Sequence, residues 1–455
     1  MFIRPISAQT HRAARRFIHG ERGNVATIFA VSLVPLLGFV GAAVDYSRTT
    51  AARSSMKVAL DSASLMVSKD LGSNPSMSAA EISAKATNYF NALYTNDASS
   101  PITVTASYTS NTKDGSTVTL TGSGTVTTDF MKMVGFPQMS INGSSTTTWG
   151  STRMRVAMAL DVTGSMAQKG KLKAMQDAAK SLIDTLSASS RMTEDVYMSI
   201  IPFAQMVNVG KSNKDASWLK WDDWDSSNGS YSCASYNSRG QCTGYTWNAA
   251  SHSNWNGCVT DRDQPYDTTN DAPTSSATRF PANQYNACPE AILGMTSAYG
   301  SNNVQTLKNK IDALVPNGAT NQAIGMAWGW QTLQVGGATF PAPSKDSNYR
   351  YTDAIILLSD GDNTKNRWYG NGSSNSPEVD ARQKILCDNI KAETVDGRRK
   401  TMIYTIQVNT DGGPDFAVLK YCADSGQFFA TTTAAGIATA FTAIGNSLNA
   451  LRVSR

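Results

Sequence analysis

The stretch Arg155-Val-Ala-Met-Ala-Leu-Asp-Val-Thr-Gly-Ser165 decides the fold. Its apolar run, ending at Leu160, has the length of a strand buried on both faces. The loop that follows offers a carboxylate, Asp161, and two hydroxyls, Thr163 and Ser165, at alternate positions. All three are hard oxygen donors, which suit Mg²⁺, Mn²⁺ or Ca²⁺ and not zinc. Two more donors stand in comparable settings: Thr320 in Asn317-Gly-Ala-Thr-Asn321, ahead of a helical pattern, and Asp360 in Ile355-Ile-Leu-Leu-Ser-Asp-Gly361, after another apolar run. Taken singly, Asp161 and Asp360 read as ordinary strand-end turn residues. Taken in order, the three loops converge at the carboxyl edge of a parallel sheet, where open α/β sheets place their ligands.

Outward from that stretch, Val156–Leu160, Val196–Phe203, Ala354–Leu358 and Met402–Val408 read as buried strands. Helical patterns fall at Lys171–Leu186, Val304–Leu314, Gln322–Leu333, Glu378–Glu393 and Thr433–Leu451. This alternation predicts a doubly wound α/β domain over residues 151–455. An insertion is expected at about 210–290, too long for a plain connection and rich in Trp, Tyr, Asn and Asp. Trp218, Trp221, Trp224, Trp247 and Trp255 either pack that segment's own core or form a surface for a partner or glycan. Asp222, Asp223 and Asp225 lack the spacing of a calcium loop.

Before this domain the chain changes character. Residues 1–22 hold five arginines (Arg4, Arg12, Arg15, Arg16 and Arg22) against one glutamate, a basic arm. Val25–Val44 carries no charge and is long enough to cross a bilayer, so residues 23–45 read as a transmembrane anchor. The arginines place the N-terminus in the cytoplasm. A cleaved signal peptide is the alternative, with Ala42-Ala43-Val44 as its weak cleavage site. Residues 46–150 form a small helix-plus-strand module. Tyr46–Val67 and Ser78–Tyr94 are helical, and Ile102–Tyr108 and Ser116–Thr128 alternate as antiparallel strands around a turn at Lys113-Asp-Gly. The formal charge of +5 is largely spent in the arm, which argues against a nucleic-acid surface.

All six cysteines follow the anchor, as suits a disulfide-permissive compartment. Cys387, late in a helix, and Cys422, after the next strand and the segment Phe416–Tyr421, fall on neighbouring helices of a doubly wound fold. They are expected to be bridged, the alternative being two buried thiols. Cys233, Cys242, Cys258 and Cys288 are expected to pair among themselves.

The three loops resemble the metal-ion-dependent adhesion site of von Willebrand factor A domains, whose pattern is D-x-S-x-S, a Thr, and an Asp in a T-D-G or S-D-G turn. Thr163 here stands for the first Ser. The resemblance implies that Ser165, Thr163 and Thr320 touch the metal, with Asp161 and Asp360 acting directly or through water. An open position would then attract a partner's carboxylate. A second resemblance runs from Arg15-Arg-Phe-Ile-His-Gly-Glu-Arg-Gly-Asn-Val-Ala26 through Gly41-Ala-Ala-Val-Asp45 and Arg48 to Met56-Lys-Val-Ala-Leu-Asp-Ser-Ala63. It extends loosely to Phe130-Met-Lys-Met-Val-Gly-Phe136. It returns in Asn317–Trp330 with its Trp-Gly-Trp, in Leu357–Asn363 and in Ile403–Val408. These segments resemble the TadG-like family of tight-adherence (Flp) pilus assembly proteins. That implies a single-pass protein of the bacterial inner membrane with a periplasmic body and pilus-assembly or pilin-like partners. Prepilin processing wants a Glu five residues after the cut; after Gly23 that position is Ile28.

Rival chemistries find little support. Gly164–Lys171 has the wrong glycine spacing for a phosphate loop, and Leu172 follows its lysine. His11, His19 and His252 supply neither a His-dependent triad nor a multi-histidine zinc site, and no nucleophile and base stand together, so an enzyme is not expected. The two functional classes left are a membrane-anchored pilus-biogenesis component and a surface-displayed adhesin using the same site.

Overall fold

The computed structural model describes residues 24–453 apart from 75–76, 96–98, 110–114, 150–151, 348, 396 and 411. The basic arm, Gly23 and, of the turn expected at Lys113-Asp-Gly, Lys113 and Asp114 lie outside the described residues. The chain divides into two compact units, one of residues 1–110 and 116–149, the other of residues 150–455 with 111–115.

In the first unit, the anchor and the helical stretch after it are one element: α1 (Asn24–Ser73) is 50 residues long, with Pro35 inside it. It is long and apolar enough to cross a membrane, with a mean hydropathy of 2.2 over its most apolar window. Residues 25–40 are exposed throughout. From Asp45 a stripe of Thr49, Ala52, Met56, Ala59, Leu60, Ala63, Val67 and Leu71 is buried. Steps of three and four residues keep that stripe on one face. It packs on Ile82, Ala86 and Phe90 of α2 (Ala79–Leu93) and on Val118, Leu120, Val126 and Ile141 of a three-stranded antiparallel sheet. The sheet comprises β1 (Thr103–Thr109), β2 (Ser116–Thr127) and β3 (Gln138–Trp149). The sequence reading finds two of these strands and misses β3. Its residues are mostly Ser, Thr, Asn and Gly, so the apolar alternation that marks a strand is faint. Pairing with β2 along 12 residues forms it instead.

The second unit is built on a mixed sheet. Its middle is five parallel strands in the order β5 (Val196–Phe203), β4 (Thr152–Asp161), β9 (Arg350–Ser359), β10 (Thr401–Val408) and β11 (Phe428–Thr431). The short strands β6 (Val207–Asn208) and β7 (Cys258–Val259) continue beyond β5, and β8 (Leu293–Ser297) also pairs with β5, all antiparallel. Alternate residues feed two cores. Val156, Met158, Leu160, Ile356 and Leu358 face α3 (Lys171–Ser189), α4 (Ser301–Asp312) and α8 (Ala434–Val453). Ala157, Ala159, Ile355 and Leu357 face α5 (Gln322–Thr332), α6 (Pro377–Ala392) and α7 (Ala417–Cys422). Burial on both faces is why these strands read as unbroken apolar runs. Gly325 lets α5 approach the sheet: a Cβ there would stand 2.4 Å from the Phe203 ring.

The segment between β6 and β8 adds to the second core. Trp218, Trp224 and Trp255 are buried in it, and Trp218 lies edge-on to Trp328 of α5. These indoles therefore pack, although against the sheet's helices and not in a core of their own. A hairpin, Gly229–Tyr236 with Cys242–Ala249, leaves Tyr231, Tyr236 and Tyr245 exposed. Asp223 pairs with Arg367 and Asp225 with His252. Disulfides join Cys233 to Cys242, Cys258 to Cys288 and Cys387 to Cys422.

Candidate metal centre

β4 ends at Asp161, fully buried. The turn after it is held by the carboxylate itself: Asp161 Oδ1 accepts the Thr163 N–H at 2.8 Å, and Oδ2 accepts the Ser359 hydroxyl at 2.5 Å. Thr163 Oγ1 lies 3.1 Å from Ser165 Oγ, which donates to Asp360 Oδ1 at 2.7 Å. Hydrogen bonds thus link the ends of the adjacent strands β4 and β9, directly from Ser359 to Asp161 and again through Thr163, Ser165 and Asp360. The Thr320 loop is tied to it through backbone. Gly164 N–H donates to Gly318 C=O at 3.0 Å and Asn317 N–H to Val162 C=O at 2.7 Å. Thr320 N–H donates to Thr364 Oγ1 at 2.9 Å, and Thr320 C=O accepts the N–H groups of Thr364 and Lys365. The structure therefore brings Asp161, Thr163, Ser165 and Asp360 into one hydrogen-bonded group. It sets Thr320 on the adjoining loop, its hydroxyl outside those bonds.

Two carboxylates in a dry site repel. Burial, with Asp360 close by, pushes the Asp161 carboxyl up to about 7 against the hydrogen bonds from Ser359 and Thr163. One ammonium is already present: Lys171 Nζ pairs with Asp360 Oδ2, both side chains being almost wholly buried. That oxygen accepts no hydrogen bond of proper geometry. Lys169 and Gly170 both take positive φ and turn the chain so that Lys171 opens α3 pointing inward. The lysine that closes the Gly164–Lys171 stretch is thus committed to a carboxylate. The sequence reading missed this partner, although the signal was there: a Lys in a helix's first turn works against the helix dipole and needs a local reason.

A second layer holds the loops. Gln322 Nε2 donates to Ser359 Oγ at 3.2 Å and to Gly361 C=O at 2.8 Å, and Gln322 N–H donates to Asn363 Oδ1 at 2.8 Å. Asn321 caps α5 through Ile324 N–H and donates from Nδ2 to both oxygens of buried Asp261. Arg367 N–H reaches Asp261 as well, at 3.2 Å. Burial raises the Asp261 carboxyl to about 6. Asp261 was not foreseen, because nothing local in Val259-Thr-Asp-Arg262 shows that it folds onto the Thr320 loop.

The residues fit a hard cation in chemistry, with oxygen donors and two carboxylates that oppose each other. No three His, Cys, Asp or Glu side chains cluster among the described residues, so any ion here relies on the hydroxyls.

Over residues 23–70 the chain matches the family described as Putative Flp pilus-assembly TadE/G-like. No curated protein matches the chain. Among solved structures it is similar to the pilus adhesin SpaC from Lactobacillus rhamnosus GG, at 10% identity and a TM-score of 0.36, over 77% of this chain and 35% of that one. It is similar to a point mutant of the PilB minor pilin from Streptococcus sanguinis, at 9% and 0.35, over 76% of this chain and 78% of that one. It is also similar to the vWF domain of the type V pili tip protein Mfa5 from Porphyromonas gingivalis, at 14% and 0.32, over 67% of this chain and 97% of that one. The chain spans about a third of the SpaC structure's length.

Proposed function

We propose that this chain is a single-pass inner-membrane component of tight-adherence (Flp) pilus biogenesis. In this reading its second unit is a doubly wound von Willebrand factor A-type domain, with residues 210–290 as an insertion. The domain captures pilus-assembly or pilin-like partners and does no catalysis. The observation that carries the reading is the hydrogen-bonded group Asp161, Thr163, Ser165 and Asp360 at the carboxyl edge of the sheet. The TadE/G-like match over residues 23–70 supports the pilus context.

Thr163, Ser165 and Thr320 would hold Mg²⁺, Mn²⁺ or Ca²⁺, with Asp161 and Asp360 behind them directly or through water. When bound, the ion supplies a Lewis acid for a partner's carboxylate. The chain's own residues do the positioning: Ser359 and the Thr163 N–H fix the Asp161 carboxylate, and Gln322 and Asn363 fix the turn after Asp360.

Titrating the full-length protein in detergent with Mn²⁺, alone and with a candidate pilin, tests the site. Asp161→Asn and Thr320→Ala should each weaken binding about tenfold or more while leaving the circular dichroism unchanged. The same variants should reduce pilus assembly in cells. No Mn²⁺ binding by the unmodified protein at millimolar concentration, partner included, ends the reading.

Topology has its own test. A reporter active only in the periplasm, fused at the C-terminus, should be active in cells, and the protein should keep its N-terminus. A silent reporter on a stable, full-length fusion removes the periplasmic body. A cleaved N-terminus with secreted protein moves the chain to the adhesin reading.

A further inference from the structure

We propose that the loop Phe130-Met-Lys-Met-Val-Gly-Phe136 is a second membrane contact, seated in the lipid interface beside α1. This rests on the reading of residues 25–44 as a membrane span.

Loop tips facing water are ordinarily polar. Here Met133 is 81% exposed, Val134 71% and Phe136 59%, and Phe130 is half-exposed. The patch adjoins the apolar surface of α1. Phe130 fills a notch at Gly41, where a Cβ would stand 2.5 Å from its ring, and Gly41 lies within the last turn of the charge-free segment. Asp45, the first charged residue after that segment, fixes the height of the loop. Its carboxylate accepts the N–H groups of Asp129 at 3.0 Å and of Phe130 and Met131 at 2.8 Å. The exposed apolar surface therefore passes from the helix onto the loop without a polar break.

The loop is built to leave water cheaply. Backbone groups in lipid must be paired within the protein. Thr128 N–H donates to Pro137 C=O at 3.1 Å, and Thr128 Oγ1 to Phe136 C=O at 2.5 Å. Met133 N–H reaches Phe130 C=O at 3.0 Å, and Phe136 N–H reaches Met131 C=O at 3.0 Å. Gly135, at φ +99°, closes the turn with a backbone angle that other residues rarely take. Lys132 and Arg48 flank Asp129 at the rim, placing cationic heads where anionic lipid headgroups lie and apolar stems below them. That basic rim and the unbroken continuity with a lipid-facing helix favour a bilayer over a protein as the occupant.

The test uses full-length protein in vesicles of phosphatidylethanolamine and phosphatidylglycerol. The six native cysteines are bridged, so one introduced thiol takes an environment-sensitive fluorophore selectively. Three variants are compared: Met133→Cys on the loop, Val34→Cys in the middle of the span and Ser107→Cys. Ser107 pairs with Thr119, eight residues up β2 from Thr127, so it stands roughly 27 Å from the loop end of the sheet. The label at 133 should emit at shorter wavelength than the label at 107. It should be quenched more by lipids spin-labelled near the headgroup than by lipids labelled near the chain end. The label at 34 should show the reverse order. If 34 is quenched and 133 behaves like 107, the loop contact is overturned while the span stands. If 34 is not quenched, the span reading itself has failed. A blue-shifted label at 133 that no lipid quenches means a protein covers the loop, and this too overturns the proposal.

Discussion

Lys171→Met is expected to destabilise the metal-free protein and to tighten its hold on Mg²⁺ and Mn²⁺. The Lys171 ammonium is the cation that the site carries within its own chain, paired with Asp360 where neither side chain meets water. Removing one partner of such a pair strands a buried charge, at about 3–5 kcal/mol. An ion held by Ser165, Thr163 and Thr320 must share Asp360's surroundings with that ammonium, and like charges a few ångströms apart repel. Relieving the repulsion should improve affinity roughly tenfold, a small share of the Coulomb energy at that range. Thermal melts of the full-length protein in detergent with and without Mn²⁺ read both effects. The variant should melt lower than the unmodified protein in chelator and recover most of the difference in Mn²⁺. If Mn²⁺ does not restore it, or the two proteins bind Mn²⁺ alike, the ammonium and the ion do not compete for one place.

The second large effect concerns the bridge between α6 and α7. Cys387 and Cys422 are both fully buried, with Cα atoms 5.3 Å apart and a sequence separation of 35. The loop they close contains β10, a central strand. Cross-linking a loop of that length removes denatured-state entropy corresponding to about 3–4 kcal/mol. The double variant Cys387→Ser/Cys422→Ser should lose about that much, read as a lower urea midpoint, and should bind Mn²⁺ as before. Peptide mapping without reductant should recover the two cysteines linked. A midpoint that does not move, or a Cys387 peptide linked to the 210–290 segment, contradicts the pairing. The bridge Cys233–Cys242 closes a much shorter loop, in an exposed hairpin, so its loss should lower the midpoint less.

The sheet and its helices were legible because burial on both faces writes itself as apolar runs. Leu160, Leu358 and Val408 each end such a run at the edge where the loops gather. The hydrogen-bonded group of Asp161, Thr163, Ser165 and Asp360 was legible because each of these residues closely follows an apolar run. What escaped was decided by tertiary contact. Lys171 turns inward because Lys169 and Gly170 reverse the backbone, which no hydropathy pattern records. Asp261 lies 60 residues before Asn321 and meets it only in the folded chain. β3 exists because β2 is beside it, not because its own side chains demand a strand. The continuity of α1 was hidden by a change of exposure, since the exposed apolar half and the sheet-facing half differ in composition but share one unbroken backbone.

That unbroken backbone sets a phase. At 3.6 residues per turn, each residue inserted between Val44 and Asp45 would add about 100° of rotation between the exposed apolar half of α1 and the sheet that α1 carries. Inserting one alanine there would leave Asp45, Phe130 and the sheet together and carry Gly41 off the Phe130 ring. Inserting four, a little over one turn, would return it to nearly the same bearing one turn further out. If residues 25–44 span a bilayer as proposed, the span and the sheet cannot swivel independently, and a twist or tilt imposed there reaches the sheet as a rigid rotation. The anchor works less like a tether than like a key shaft cut to one angle.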